Sequence, residues 1–171
     1  APSRSALKLV EAFVTFLGDD VATLLRAGMR AVDLGAAPGG WTWELARRGL
    51  FVVAVDNGAL KGEVAHDPQV THVRADGLKY RPQRRVDWVT CDIVEQPSRI
   101  AALMADWIAG GAARRALFNL KLPMKRRYDE VLRCIDSIDA RLARDGVDAT
   151  LRVRQLYHDR AEVTAYLARE R

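Results

Sequence analysis

The chain has 171 residues, 49% of them hydrophobic, and carries 27 Lys+Arg against 22 Asp+Glu for a formal net charge of +5. That length supports one well-packed domain rather than two, and the absence of a bilayer-length apolar run or a signal-peptide pattern leads us to expect one cytoplasmic domain over 1–171 with no membrane partner. Cys91 and Cys134 lack C-x-x-C or Cys/His ligand spacing, which argues for reduced packing thiols and against a bound metal or a disulfide framework.

Two helices precede the sheet within 1–28. The first sends Leu9, Phe13, Phe16 and Leu17 inward, with Ser3 or Ser5 as its N-cap, Gly18 as its stop and Lys8 outside the apolar stripe. Asp19 and Asp20 open a short second helix through Val21, Leu24 and Leu25 that stops at Gly28. Residues 30–34 read as a strand containing Asp33. The chain then breaks into Gly35, Ala36, Ala37, Pro38, Gly39 and Gly40, and restarts as a helix through Trp41, Trp43, Leu45 and Ala46 that closes at Gly49. Residues 51–55 form a buried strand ending at Asp56, where an acid either accepts hydrogen bonds from a ribose or starts a turn with Asn57 and Gly58.

Residues 61–67 read as a short helix or a loop, and 70–74 as a third strand followed by the turn pair Asp76-Gly77. A fourth strand over 86–91 ends at Asp92, and Pro97 opens a helix with Ile100, Leu103, Met104, Trp107 and Ile108 at core spacing. The fifth strand, 116–120, ends at Lys121. The next helix buries Val131, Ile135, Ile138 and Leu142 and carries Lys125, Arg126 and Arg127 in its first turn. Cations there oppose the helix macrodipole, which points to an anionic partner or to simple crowding of surface charge. Residues 149–155 form a sixth strand, 157–160 turn, and 162–168 form a seventh. Strands alternating with helices and closed by a hairpin imply a doubly wound α/β, Rossmann-like sheet of about seven strands. Its last strand runs antiparallel, and helices cover both faces.

In such a sheet ligands bind beyond the carboxyl ends of the strands, and glycines let them approach the backbone. The turn Gly35-Ala36-Ala37-Pro38-Gly39-Gly40 lacks the G-x-G-x-x-G spacing of a dinucleotide loop and the Gly-Lys-Ser/Thr of a P-loop. Topology also brings Asp92, Lys121 and Glu162 to that carboxyl edge. Each alone has a mundane reading as a turn acid, a surface lysine or an edge-strand glutamate, but their convergence beside the loop marks a candidate catalytic crevice.

Asp33-Leu34-Gly35-Ala36-Ala37-Pro38-Gly39-Gly40-Trp41-Thr42 resembles the S-adenosylmethionine loop of the FtsJ-like RNA ribose 2′-O-methyltransferases. The resemblance implies S-adenosyl-L-methionine as cofactor, held by Asp33, Gly35, Ala36, Pro38, Gly39, Gly40, Trp41, Asp56, Asp76 and Asp92. It further implies a Lys-Asp-Lys-Glu catalytic tetrad, which maps onto Lys8, Asp92, Lys121 and Glu162. Lys8 is assigned by the resemblance alone. Segments 2–9, 118–125 and 154–160 are similar to those of the branch that methylates a cytidine of large-subunit (23S) ribosomal RNA. Members of that branch carry an N-terminal RNA-binding region with a THUMP domain, which is expected to be absent here.

The implied partner is RNA, specifically ribosomal RNA before full subunit assembly, rather than DNA. Arg74, Lys79, Arg81, Arg84 and Arg85, then Arg114 and Arg115, then Arg152, Arg154 and Arg160 supply basic segments, while Tyr80, Trp41 and Tyr157 are candidates for base stacking, with a buried packing role the equal alternative for Trp41. Lys121 is the candidate general base. Flanking carboxylates raise a lysine pKa whereas burial and a second lysine lower it, so a protonated Lys121 that positions the ribose oxygen stays open at this level. Action on tRNA or a cap, and a non-catalytic RNA-binding module, are the alternative functions.

Overall fold

The computed structural model describes residues 4–170; Ser3 and the start of segment 2–9 lie outside them. Seven strands form one sheet in the order β3-β2-β1-β4-β5-β7-β6. They are β1 (Arg30–Leu34), β2 (Phe51–Val55), β3 (Val70–Val73), β4 (Val86–Cys91), β5 (Ala113–Lys121), β6 (Ala149–Arg154) and β7 (Glu162–Arg169). The first five pair in parallel, and β7 runs antiparallel to both β5 and β6. The expected doubly wound sheet with its antiparallel last strand is therefore observed.

Alternation along the strands divides the core in two, because successive side chains leave a strand on opposite faces. Trp88 and Leu117 point to the face covered by α1 (Ser5–Leu17), α2 (Val21–Leu24) and α3 (Gly40–Arg47), where they join Leu9, Phe13 and Leu45. Their neighbours Val89 and Phe118 point to the other face, under α4 (Pro97–Ala109) and α5 (Arg127–Arg144), with Met104, Trp107 and Ile138. Phe13 meets Trp88 edge to face at 5.7 Å, which fixes α1 across the middle of the sheet. Among the described residues no helix is long and apolar enough to cross a membrane.

Three local readings change. Ser5 is the first residue of α1 rather than its cap, and Arg4 occupies the N-cap with no side-chain cap hydrogen bond; the alternative cap, Ser3, lies outside the described residues. β5 begins at Ala113 rather than at 116, because Ala113 pairs with Val86 and Arg115 with both Trp88 and Ala168. Those pairings override the polar look of Arg114-Arg115. Finally, Lys125 and Arg126 precede α5, Arg126 sits at its N-cap with φ of +57°, and Asp129 and Glu130 occupy the first turn. Those acids complement the macrodipole, so the argument for an anionic partner from cations in that turn falls.

Candidate active site

The turn after β1 is shaped by close approach. Gly35 has φ of +73°, and a Cβ there would lie 2.5 Å from the Ile93 side chain; at Gly39, with φ of +125°, it would lie 2.6 Å from Val64. Only glycine fits both the backbone and the space. The Gly35 and Ala36 N–H groups donate to the Val55 carbonyl at 2.8 and 3.2 Å, which ties the turn to the end of β2. Pro38, joined to Ala37 by a cis peptide, accepts from the Lys61 N–H at 2.9 Å. Gly40 begins α3, and Trp41 is buried with its indole N–H donating to the Ser5 carbonyl at 2.9 Å. Trp41 thus couples α3 to α1, and the reading of it as a stacking surface is withdrawn.

Asp33 lies beneath the turn at 1% exposure. Its carboxylate accepts from the Thr42 hydroxyl at 2.8 Å and the Thr90 hydroxyl at 2.9 Å. Burial pushes its pKa up to about 7, against the pull of those two donors. Asp33 braces the turn from below. Asp56 accepts from the Ala37 N–H at 2.9 Å and the Gly58 N–H at 2.7 Å, and Asp76 accepts from the Leu78 N–H at 2.9 Å. A Cβ on Gly77 would lie 3.2 Å from the Gly35 nitrogen, so the turns after β1 and β3 lie against each other. The carboxylates at the ends of β2 and β4 and in the turn after β3 retain lone pairs for the hydroxyl and amino hydrogens of a ligand.

On the other side of Asp92 the structure assembles all four residues of the expected tetrad. Lys121 and Glu162 are directly opposite each other in the β5–β7 pairing. Lys121 Nζ donates to Asp92 Oδ1 at 2.5 Å and to Glu162 Oε2, and Lys8 Nζ donates to Glu162 Oε1. A continuous ion network runs Lys8–Glu162–Lys121–Asp92, with Glu162 buried and the other three half-buried. Burial drags the Lys121 ammonium down, but Asp92 and Glu162 outweigh it and leave Lys121 above the ordinary lysine range. Burial likewise raises Glu162, and hydrogen bonds from Lys121 and Lys8 outweigh it, leaving its carboxyl below the usual range. Both groups are therefore charged at neutral pH.

Behind the network stand residues that sequence reasoning missed. Asn119 Nδ2 donates to Asp92 Oδ1 at 3.0 Å. The Thr164 hydroxyl lies 2.7 Å from Asn119 Oδ1 and 2.9 Å from Asp159 Oδ2. An asparagine inside the apolar run Leu117-Phe118-Asn119-Leu120 was the available signal, since a fully buried amide needs partners.

The network opens into a cleft of about 1160 Å³ bordered by Arg4, Lys8, Lys121, Tyr157, Arg160 and Glu162. Several other expected phosphate-binding cations are committed within the fold. Arg81 pairs with Asp106, Arg115 donates to the Tyr166 hydroxyl, and Arg152 donates to the Phe16 carbonyl. Lys125, Arg126, Arg127, Arg154 and Arg160 are exposed.

Residues 1–120 match the FtsJ-like methyltransferase family. The chain is 62% identical to ribosomal RNA large subunit methyltransferase M of Azoarcus sp. (strain BH72), over 98% of this chain and 46% of the relative. It is also 62% identical to the protein of the same name from Methylococcus capsulatus, over 98% of this chain and 47% of the relative. The chain thus spans about half the length of these curated relatives. Among solved structures, Aeropyrum pernix fibrillarin in complex with natively bound S-adenosyl-L-methionine superimposes with a TM-score of 0.64 at 20% identity, covering 94% of this chain and 74% of that one. That likeness concerns the fold.

Proposed function

Because the chain belongs to the FtsJ-like methyltransferase family, we propose that it transfers a methyl group from S-adenosyl-L-methionine to a ribose 2′-hydroxyl of RNA, acting in the cytoplasm on a cytidine of large-subunit ribosomal RNA. The observation that carries this reading is the Lys8–Glu162–Lys121–Asp92 network at the end of the sheet that also holds the glycine turn. The names of the two bacterial relatives support ribosomal RNA as substrate.

The residues at the turn fit the cofactor. Asp56 and Asp76 offer carboxylate oxygens to its ribose and adenine, the backbone of Gly35 to Gly40 offers close approach, and Asp92 borders both the cofactor side and the network. When bound, S-adenosylmethionine supplies a methyl group on a sulfonium whose departure leaves a neutral thioether. The protein's remaining task is to hold the nucleophile in line. A lysine kept above its ordinary pKa is a poor proton acceptor, so Lys121 acts as a cation: it donates to the ribose oxygen and orients a remaining lone pair. Asp92 and Glu162 hold the Lys121 ammonium from two sides, and Lys8 holds Glu162. The hydroxyl proton leaves to water as the new oxygen–carbon bond forms.

Tritiated methyl transfer to undermodified 23S ribosomal RNA, followed by nucleoside mapping, tests the reading. Label in 2′-O-methylcytidine is expected, with RNA binding that weakens as salt rises because neutralised phosphates release counterions. Label on a base, or none on any RNA, overturns it.

A further inference from the structure

Tyr157 is 91% exposed, the most exposed large hydrophobic side chain among the described residues. It sits in the loop between β6 and β7 on the border of the cleft that contains Lys8, Lys121 and Glu162. The ring offers an apolar face to the solvent, and the main chain that carries it is held in place. Glu11, on α1, accepts from the Tyr157 N–H at 3.1 Å and the His158 N–H at 3.2 Å through its two carboxylate oxygens. His158 Nδ1 lies 3.3 Å from the same carboxylate. The His158 ring meets the Tyr157 ring edge-on at 5.2 Å and an interplanar angle of 86°. At the base of the loop, Leu156 is buried and its N–H donates to Asp159 Oδ2 at 3.0 Å. One carboxylate from a distant helix therefore sets the position of an otherwise uncovered aromatic face.

We propose that Tyr157 is the stacking platform for a nucleobase of a single-stranded RNA segment seated in the cleft, and that Glu11 is the positioning residue that holds it there. This rests on the RNA-methylating reading above. A nucleobase is the occupant the surroundings favour. It presents a π-face to the ring, while Arg4 and Arg160 around the same cleft complement the phosphates attached to it. Val94, 87% exposed, lines the same cleft and adds apolar surface suited to a base rather than to a charged group. The rings of Trp41 and Tyr80 do not compete for this role, since the first is buried and the second packs against the core under α4 and α5.

The test uses the 171-residue chain and a short single-stranded RNA carrying 2-aminopurine, read by fluorescence quenching. Stacking on one aromatic ring predicts a dissociation constant raised about 5- to 150-fold by Tyr157→Ala and changed less than about twofold by Tyr157→Phe. Glu11→Ala is expected to weaken binding in the same assay. The Glu11→Ala/Tyr157→Ala double variant should be no weaker than Tyr157→Ala alone, because Glu11 acts through the ring. Glu11→Gln, which retains one acceptor oxygen, should fall between, and it serves if the alanine variant fails to fold. RNA affinity and quenching unchanged in Tyr157→Ala overturns the proposal even where methyl transfer proceeds. Quenching with the expected contrast, but no methyl transfer by the unmodified chain, supports the platform and sinks the catalytic reading instead.

Discussion

The glycine turn after β1 and the ion network between β5 and β7 lie at the same end of one sheet, with β4 between β1 and β5, yet they neutralise charge in opposite ways. At the turn, carboxylates are satisfied by neutral donors: Asp33 by two hydroxyls, Asp56 by two backbone N–H groups. In the network each charge is answered by another charge, and Glu162 is almost fully withdrawn from water between two lysines. Neutral donors define a shape, and at Asp56 they leave charge available to a ligand. Paired charges hold a reactive group in one position and in one protonation state, and the loss of Glu162 removes an ion-pair partner from both lysines at once.

The largest effect that would break this contrast concerns Asp33. Its pKa of about 7 lies above the unfolded value of 3.8, so the stability it confers is complete below about pH 4 and is lost as pH rises through 7. Asp33→Asn removes that dependence. The stability of the variant relative to the parent should climb by roughly 3–5 kcal/mol between pH 4 and pH 7, measured by denaturant unfolding; a constant difference would show that neutral donors fully compensate the buried charge.

Next in size is Lys121→Met, expected to lower single-turnover methyl transfer by about 10²–10³-fold with cofactor affinity retained. Full transfer by that variant would strip the network of its chemical role. The pH dependence sharpens the same point. Glu162 titrates below its ordinary range, so its contribution to stability is present above the unfolded value and disappears as pH falls through the folded one. Transfer should accordingly stay level across neutrality and decline only in acid. A rise with an apparent pKa near that of a free lysine would instead mark Lys121 as a proton acceptor.

The smallest expected effect is that of Asn119→Ala, which deprives Asp92 of one donor while leaving the Lys121 contact. A rate reduced about fivefold, on the order of 1 kcal/mol, with unchanged cofactor binding would place Asn119 in support of the network. No change in rate would confine it to packing.

The bounds of β1, β2 and β4 were legible because each is a short apolar run that ends at a glycine or an acid, and both neighbours in the sheet reinforce that pattern. Convergence of Asp92, Lys121 and Glu162 followed from strand polarity. Lys8 did not, since its position depends on how α1 crosses the sheet, and that is settled by contacts such as Phe13 on Trp88, far apart in sequence. Glu11 was hidden for the same reason: its partners are main-chain N–H groups of residues 157 and 158, which have no side-chain signature. The start of α5 was misplaced because Lys125 and Arg126 are good helix formers, whereas Arg126 adopts a left-handed backbone that ends the preceding turn.

The pairing of Lys121 with Glu162 across β5 and β7 has a consequence for synthesis. Side chains on adjacent positions of β7 face opposite sides of the sheet, so a slip of one residue would set Ala161 or Val163 against Lys121 and turn the carboxylate away. In chain order Glu162 is also the last of the four to leave the ribosome. A nascent chain can complete its glycine turn and still lack the acid that pairs with both lysines; the ion network comes into being only when β7 inserts, in register, between two strands already made.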